Sequence, residues 1–184
     1  MSITRRITLT AILLALTLVF QSLRLFIPMP PLVALFLVGT LVNLCLLLAV
    51  YFVGFWHTLI IAVLAPVAAF FQGHLPNPLL IPVVAFGNAV LPLAWSYLHT
   101  YREWVSKSIC VIIGSVLKFG VLFYLMRLVF KLFIASTLAQ SKEQDMINLI
   151  NLNYSWPQLV TALAGGFLAI VIGRSLEKVV FEKV

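Results

Sequence analysis

Six long apolar stretches account for most of this chain, and they constrain its fold more than any other feature. They cover residues 7–27, 32–53, 55–71, 79–98, 108–134 and 156–173. A helix crosses ~30 Å of hydrocarbon with about 20 mostly apolar residues, because its backbone N–H and C=O groups are satisfied within the segment. Apolar residues make up 63% of the chain and charged residues only 9%. The sequence therefore predicts an all-α integral membrane protein, a bundle of six transmembrane helices.

The basic residues set the expected orientation of this bundle, because Lys and Arg are retained on the cytoplasmic side of a membrane. With both termini cytoplasmic, the inner loops and ends hold most of them: Arg5, Arg6, Arg102, Lys107, Arg174, Lys178 and Lys183. Arg24, Lys131 and Lys142 fall on the outer side. The first stretch exceeds the apolar core of a secretory signal, so it is predicted as a span. We expect one transmembrane domain over residues 1–184.

Catalytic and ion-coupling chemistry is missing from the sequence. All five carboxylates fall in predicted loops or at the C-terminus: Glu103, Glu143, Asp145, Glu177 and Glu182. Ion-coupled carriers commonly keep acidic groups within the membrane. The three histidines are widely separated, and the phosphate-loop, zinc-protease and nucleophile-elbow motifs are absent. We expect no enzyme, no metal and no cofactor. The net charge of +7 is spread over loops and ends, which indicates membrane topology and not nucleic-acid binding.

Four polar side chains lie at depth within predicted spans. Asn43 and Asn88 are each interpreted either as a hydrogen-bonding contact between helices or as a ligand contact in a central cavity. Lys118 falls near mid-depth, where an ammonium is costly without a partner, and Arg127 lies farther toward the outer end. Both can extend toward the headgroups, or they can await an anionic group on a ligand. The sequence leaves these alternatives open.

The outer loops supply further candidates for substrate contact. Residues 72–78 contain Gly73 and two prolines, so a stiff turn is expected that presents His74 and Asn77 either to water or over a cavity. Residues 135–155 carry apolar positions at helical spacing, which predicts a short surface helix. Beside it, Asn153 and Trp156 are candidates for closing over a bound molecule, although Trp156 also suits an interfacial aromatic belt.

Ala11 and Ala15 lie four residues apart near the start of the first span, in the segment Thr10-Ala11-Ile12-Leu13-Leu14-Ala15-Leu16. Small residues at this spacing let helices approach closely, either within the bundle or with another membrane protein. This segment, together with six predicted spans, a basic N-terminus and long outer loops, resembles the substrate-binding S component of energy-coupling factor (ECF) vitamin transporters. The resemblance covers the whole chain in layout.

The resemblance implies a function for the chain. It implies high-affinity binding of a vitamin or related micronutrient from the outer side of a prokaryotic plasma membrane. A membrane scaffold subunit, docked at Ala11 and Ala15, and two ATPases would then drive uptake. The implied substrate contacts are Asn88, Arg127, His74, Asn77, Asn153 and Trp156, and Lys118 with Arg127 favours an anionic group. Two other interpretations stay open, a scaffold subunit of a cell-envelope complex and a small autonomous facilitator.

Overall fold

The computed structural model describes residues 1–98, 104–134, 147–148 and 156–181, and the regular structure in these ranges is helical. Its helices are α1 (Ile3–Phe26), α2 (Pro31–Val53), α3 (Phe55–Phe71), α4 (Leu80–Leu98), α5 (Trp104–Val129) and α6 (Trp156–Phe181). A π-helical segment, Phe130–Ile134, continues α5. The predicted all-α class is therefore confirmed.

Length and composition give most of these helices the capacity to cross a membrane. Five are long and apolar enough: α1, α2, α4, α5 with its continuation, and α6. Helix α3 is equally apolar but has 17 residues, about three short of an ordinary span. The count of six crossings and the cytoplasmic location of the termini stay predictions.

The helix boundaries follow from local chemistry. The Ser2 hydroxyl accepts a hydrogen bond from the Arg5 N–H and caps α1. Pro31 begins α2, where its fixed φ suits the first helical turn and its missing N–H costs nothing. Gly54 separates α2 from α3 with φ of 89°, which is a conformation that side-chain-bearing residues avoid. These signals give short connections, and short connections make successive helices antiparallel neighbours.

Helix α2 lies at the centre of the bundle and packs against α1, α3, α4 and α6. Its residues Cys45, Leu46 and Leu47 are almost completely buried. Helix α6 approaches it closely at Gly165, where an added Cβ would lie 2.5 Å from the Thr40 carbonyl oxygen. Only glycine permits this distance, so the α2–α6 contact depends on that position.

The two ends of the bundle differ in the chain segments they hold. We call the end at which α1 begins and α6 ends the terminal end, and the opposite end the cavity end. The terminal end holds the basic residues Arg5, Arg6, Lys107 and Arg174, whereas the cavity end holds Arg24, Arg127 and Lys131. Which end faces the cytoplasm stays a prediction from the sequence.

Candidate functional site

A cavity of about 150 Å³ lies among the helices toward the cavity end. Every helix contributes to its wall, because late α1, α3 and α5 meet early α2, α4 and α6 there. Its lining combines apolar side chains with a few strongly polar ones: Gln21, Arg24, Leu35, Val38, Gly39, Val42, Asn43, Pro66, Ala69, His74, Leu75, Val84, Asn88, Lys118, Leu122 and Gln158. Such a mixture is typical of sites for small molecules.

Lys118 is buried in the wall of this cavity, with 2% of its surface exposed. It lies on the inward face of α5, together with Gly114, Ser115 and Leu122 at helical spacing. Its ammonium donates to Asn43 Oδ1 at 2.6 Å and to Asn88 Oδ1 at 3.0 Å. Two neutral amides therefore replace water around a buried charge, which would be costly without such partners.

Asn43 joins three helices through both ends of its amide. Its oxygen accepts from Lys118, while its Nδ2 donates to the Gly39 carbonyl at 2.9 Å and to Thr161 Oγ1 at 3.4 Å. Thr161 in turn donates to the Gln158 carbonyl at 3.3 Å. Asn43 is thus an interhelical hydrogen-bonding residue that also lies in the cavity wall, and its contact with a ligand stays a prediction.

Close packing between α4 and α5 surrounds the Asn88 amide that accepts a hydrogen bond from Lys118. Gly87 precedes Asn88 on α4, and a Cβ there would lie 2.4 Å from Leu122 Cδ2 on α5. The missing side chain lets α4 and α5 approach beside the hydrogen bond from Lys118 to Asn88. Gly87 therefore permits the close contact of α4 with α5 beside Asn88.

Basic groups cluster around the cavity. Arg24 near the end of α1 and His74 in the α3–α4 loop both line it with Lys118. Burial lowers the pKa of His74, and the charge of Arg24 lowers this pKa further, since both disfavour the imidazolium form. Among the described residues the only carboxylate is Glu177, which accepts a hydrogen bond from Tyr51 toward the terminal end. The described cavity wall is therefore cationic.

Three polar residues of the wall are missing from the predicted substrate contacts: Gln21, Arg24 and Gln158. A signal for the first two exists, because residues three apart share a helix face and Gln21 precedes Arg24 by three. Gln158 carries no comparable signal in the sequence. Its placement depends on how the start of α6 packs against α2.

The remaining predicted contacts do not meet at the cavity. Arg127 donates to the Phe123 carbonyl at 3.2 Å, and its guanidinium lies 3.4 Å from the centroid of the Phe123 ring. Asn77 Oδ1 accepts from the Leu79 N–H at 2.9 Å in the turn before α4. Trp156 is half exposed and its ring packs 5.5 Å from that of Phe36. Their substrate roles stay predictions without a contact to the cavity.

Two other predictions fall largely on undescribed parts of the chain. Asn153 lies outside the described residues. Of the predicted surface helix within 135–155, only residues 147–148 are described, and both are helical. Ile147 packs against the apolar cluster that contains Leu122, Met126 and Phe130. This contact places Ile147 beside the part of α5 that lies toward the cavity end.

Ala11 and Ala15 lie on the exposed face of α1. The opposite face of the same helix is buried and contains Thr10, Leu13, Thr17 and Gln21. Ile7, Ile12 and Val19 lie near the two alanines and are more than half exposed. Among the described residues the alanines therefore do not serve helix packing, and the exposed face of α1 around them is apolar.

The described residues contain no group of three His, Cys, Asp or Glu side chains that could hold a metal ion. What the cavity offers is hydrogen-bond donors on Lys118 and Arg24, amides on Gln21 and Asn88, and apolar walls. This arrangement can bind and orient a small polar molecule.

Comparison with known proteins agrees with this binding architecture. No curated protein and no solved structure matches the chain. Residues 5–173 match the family model described as "ECF transporter, substrate-specific component", a match that includes every cavity residue and both exposed alanines. Members of this family are transporter components and not enzymes, and they partner with ECF scaffold and ATPase subunits. The predicted resemblance is confirmed, and this multi-pass membrane protein belongs to the substrate-specific components of ECF transporters.

Proposed function

We propose that the protein binds a small, vitamin-like molecule carrying an anionic group in the cavity, with high affinity and from the outer side of the membrane. The bound molecule is then delivered into the cell through an ECF scaffold subunit and two ATPases. Asn88, His74 and Lys118 are the proposed substrate contacts. The whole chain acts as one transmembrane substrate-binding domain without catalysis of its own.

The observation that carries this proposal is the convergence of Lys118, Arg24 and His74 on one cavity in a chain with only 9% charged residues. A buried ammonium held by neutral amides keeps its charge available, because an amide oxygen satisfies a proton without supplying a negative charge. An oxyanion on the substrate can supply that charge through a short, strong hydrogen bond. The preference for an anion follows.

The charge asymmetry of the helix ends supports entry of the substrate from outside. The basic residues Arg5, Arg6 and Arg174 lie at the terminal end, opposite the cavity. Lys and Arg are enriched on the cytoplasmic side of membrane proteins. In this orientation both termini are cytoplasmic and the cavity lies in the outer half of the bundle.

The exposed face of α1 is the proposed docking surface for the scaffold subunit. Ala11 and Ala15 let a partner helix approach the α1 backbone, and the surrounding isoleucines and Val19 provide apolar contact. Replacing both alanines with tryptophan adds bulk there without touching the cavity. We expect uptake to be abolished and substrate binding to be retained; joint loss of both would contradict the docking assignment.

The first experiment is purification of the tagged protein from its native cells in mild detergent, followed by mass spectrometry of proteins and small molecules. Recovery of a larger membrane subunit with two ATPases and an anionic metabolite is expected. Cell-envelope proteins in place of ATPases would contradict the transport proposal and favour a scaffold. Uptake by the protein alone in liposomes would contradict dependence on the ATPases and indicate a facilitator.

A further inference from the structure

We propose that the substrate carries a second recognition group, an N–H or O–H donor that binds Gln21 Oε1, in addition to the anionic oxygen that binds at Lys118. Gln21 is then a specificity-determining residue that selects among anionic molecules. This inference rests on the proposed function of the cavity. It narrows the substrate from any small anion to one with a neutral hydrogen-bond donor, such as a hydroxy acid or an acid bearing an amide or ring N–H.

Gln21 belongs to the buried face of α1 and has only 8% of its surface exposed. Its Nε2 donates to the Ala65 carbonyl of α3 at 3.2 Å. A carbonyl oxygen can only accept, so this bond determines which end of the Gln21 amide points toward α3. The Oε1 atom is the other end of the same amide, and Gln21 is one of the residues that line the cavity.

Within the described parts of the chain, Gln21 Oε1 is buried and has no hydrogen-bond partner. A buried acceptor without a donor destabilises the protein, and such atoms are uncommon in native structures. At a binding cavity the cost is recovered when a ligand brings the missing donor. The unsatisfied oxygen therefore reports on the chemistry of the molecule that fits there.

Gln21 and Lys118 make opposite demands on that molecule. The Lys118 ammonium has three N–H donors, of which Asn43 and Asn88 take two, so it requires an acceptor. Gln21 Oε1 requires a donor. A molecule with an oxyanion alone would satisfy Lys118 and leave Gln21 buried and unpaired, which is how polar sites reject analogues that lack a group.

The size of the cavity limits the scaffold that joins these two groups. A volume of about 150 Å³ is comparable to engineered protein cavities that hold a single benzene ring. The apolar walls, including Leu35, Val38 and Val84, suit such a compact apolar part. We therefore expect the part of the substrate inside the cavity to be compact, about one ring in size, with the anionic group and the donor as separate substituents.

The chain contains a matched control for Gln21. Gln72 Nε2 donates to Ser22 Oγ at 2.9 Å, and its Oε1 is also buried without a partner among the described residues. Gln72 does not line the cavity. Methionine is nearly the same size as glutamine but lacks the amide, so either replacement removes the amide with little change in volume. Only the change at position 21 alters the cavity.

The test uses the purified full chain incubated with the low-molecular-mass filtrate of a cell extract. Retained compounds are identified by mass spectrometry for the wild type and for Gln21→Met, Gln72→Met and Lys118→Met. We expect the wild type to enrich a compound with an oxyanion and an N–H or O–H donor. Gln21→Met should weaken binding of this compound about tenfold, because the N–H or O–H donor of the compound is then buried without an acceptor. Gln72→Met should leave its binding unchanged.

A second measurement changes the ligand and does not depend on the folding of a variant. Methylation of the N–H or O–H donor of the captured compound should weaken its binding to the wild type about tenfold. The methylated compound should bind the wild type and Gln21→Met almost equally, because neither complex can then form the hydrogen bond to position 21. Equal binding of the methylated and unmethylated compounds to the wild type would overturn the inference.

The outcomes separate this inference from the proposed function. A captured anion without a donor, or one retained equally by Gln21→Met, overturns the role of Gln21. If Lys118→Met still loses that anion, the proposed function stands. Enrichment of no compound by the wild type would overturn the proposed function and the inference together.

Discussion

The two buried lysines of α5 carry the same charge in different surroundings. Lys107 lies toward the terminal end and is 8% exposed, and Lys118 lies beside the cavity and is 2% exposed. Lys107 donates to the Tyr51 hydroxyl at 3.1 Å, and that hydroxyl donates to Glu177 Oε2 at 3.1 Å. Its ammonium also lies 4.8 Å from the centroid of the Tyr51 ring. A carboxylate thus ends the hydrogen-bond chain that begins at Lys107.

Lys118 donates to amide oxygens, whereas Lys107 is linked to a carboxylate through the Tyr51 hydroxyl. Asn43 and Asn88 satisfy two of its protons but leave its positive charge uncompensated by any described residue. We infer from this difference that Lys107 serves the fold, and we propose that Lys118 serves binding. A charge that the protein neutralises itself joins helices, whereas a charge held ready beside a cavity favours an anionic ligand.

The largest expected effect comes from removing the Lys118 charge. Lys118→Met should weaken binding of an anionic substrate roughly 100-fold, because it removes a charge-assisted hydrogen bond in a desolvated site. The matched variant Lys107→Met should leave binding within a few-fold of the wild type. Equilibrium binding of the captured metabolite to both variants measures this difference. Similar losses in the two variants would break the distinction between the lysines.

The reverse pattern is expected for stability. Lys107→Met leaves the Tyr51 and Glu177 pair without its cation and should lower the free energy of unfolding by about 1–3 kcal/mol. Lys131→Met, at an exposed position of the π-helical segment, is the control and should change it by less than about 0.5 kcal/mol. Unfolding in mixed micelles without substrate measures both. An unchanged stability in Lys107→Met would assign the network no structural role.

The amides that hold Lys118 should have intermediate effects. Asn88→Leu removes one acceptor and should weaken substrate binding about tenfold. Asn43→Leu should do the same and also destabilise the substrate-free protein, because Asn43 bonds to Gly39 and Thr161 as well. Binding and unfolding measured on both variants check this split. Stability losses of equal size would contradict the bridging role of Asn43.

The smallest expected effect is a pH dependence through His74. Its pKa is lowered in the substrate-free protein, so its stabilising contribution is present above pH 6.5 and is lost as the pH falls below that value. A bound anion favours the imidazolium and raises this pKa, so affinity should rise a few-fold over the same fall in pH.

Melting temperatures with and without substrate, between about pH 7.5 and 5.5, test the opposite signs of these two effects. His74→Gln should remove both trends. His57→Gln, at the start of α3 and away from the cavity, is the control and should keep them. Retention of the trends in His74→Gln would assign them to another group.

Helix α5 illustrates how much of the site the sequence could predict. Lys107 and Lys118 are eleven residues apart, so at about 100° per residue they lie within roughly 20° of each other on the helix. Arg127 follows Lys118 by nine residues, which places it on roughly the opposite face. The sequence therefore separates Lys118 from Arg127. It does not indicate which of the two faces the cavity, because in a membrane helix the lipid face and the protein face are both apolar.

The sequence predicted the depth of polar residues along their helices better than it predicted which of them meet across helices. The depth of Asn43, Asn88 and Lys118 followed from their place within apolar stretches, and all three lie at the cavity. Their mutual hydrogen bonds join α5 to α2 and to α4, and α4 packs closely on α5 at Gly87. No local pattern specifies such approaches, because small residues are common throughout membrane helices.

The sequence by itself determined the class of this protein, because the cost of unsatisfied backbone groups in lipid makes long apolar stretches helical. The segment at Ala11 and Ala15, read with the layout, also identified the family. Only the tertiary structure decided that Gln21, Arg24 and Gln158 share a wall with Lys118 while Arg127 packs on Phe123. Which residues face the cavity depends on the rotation of each helix about its axis. Close packing between helices determines this rotation, and hydropathy does not predict it.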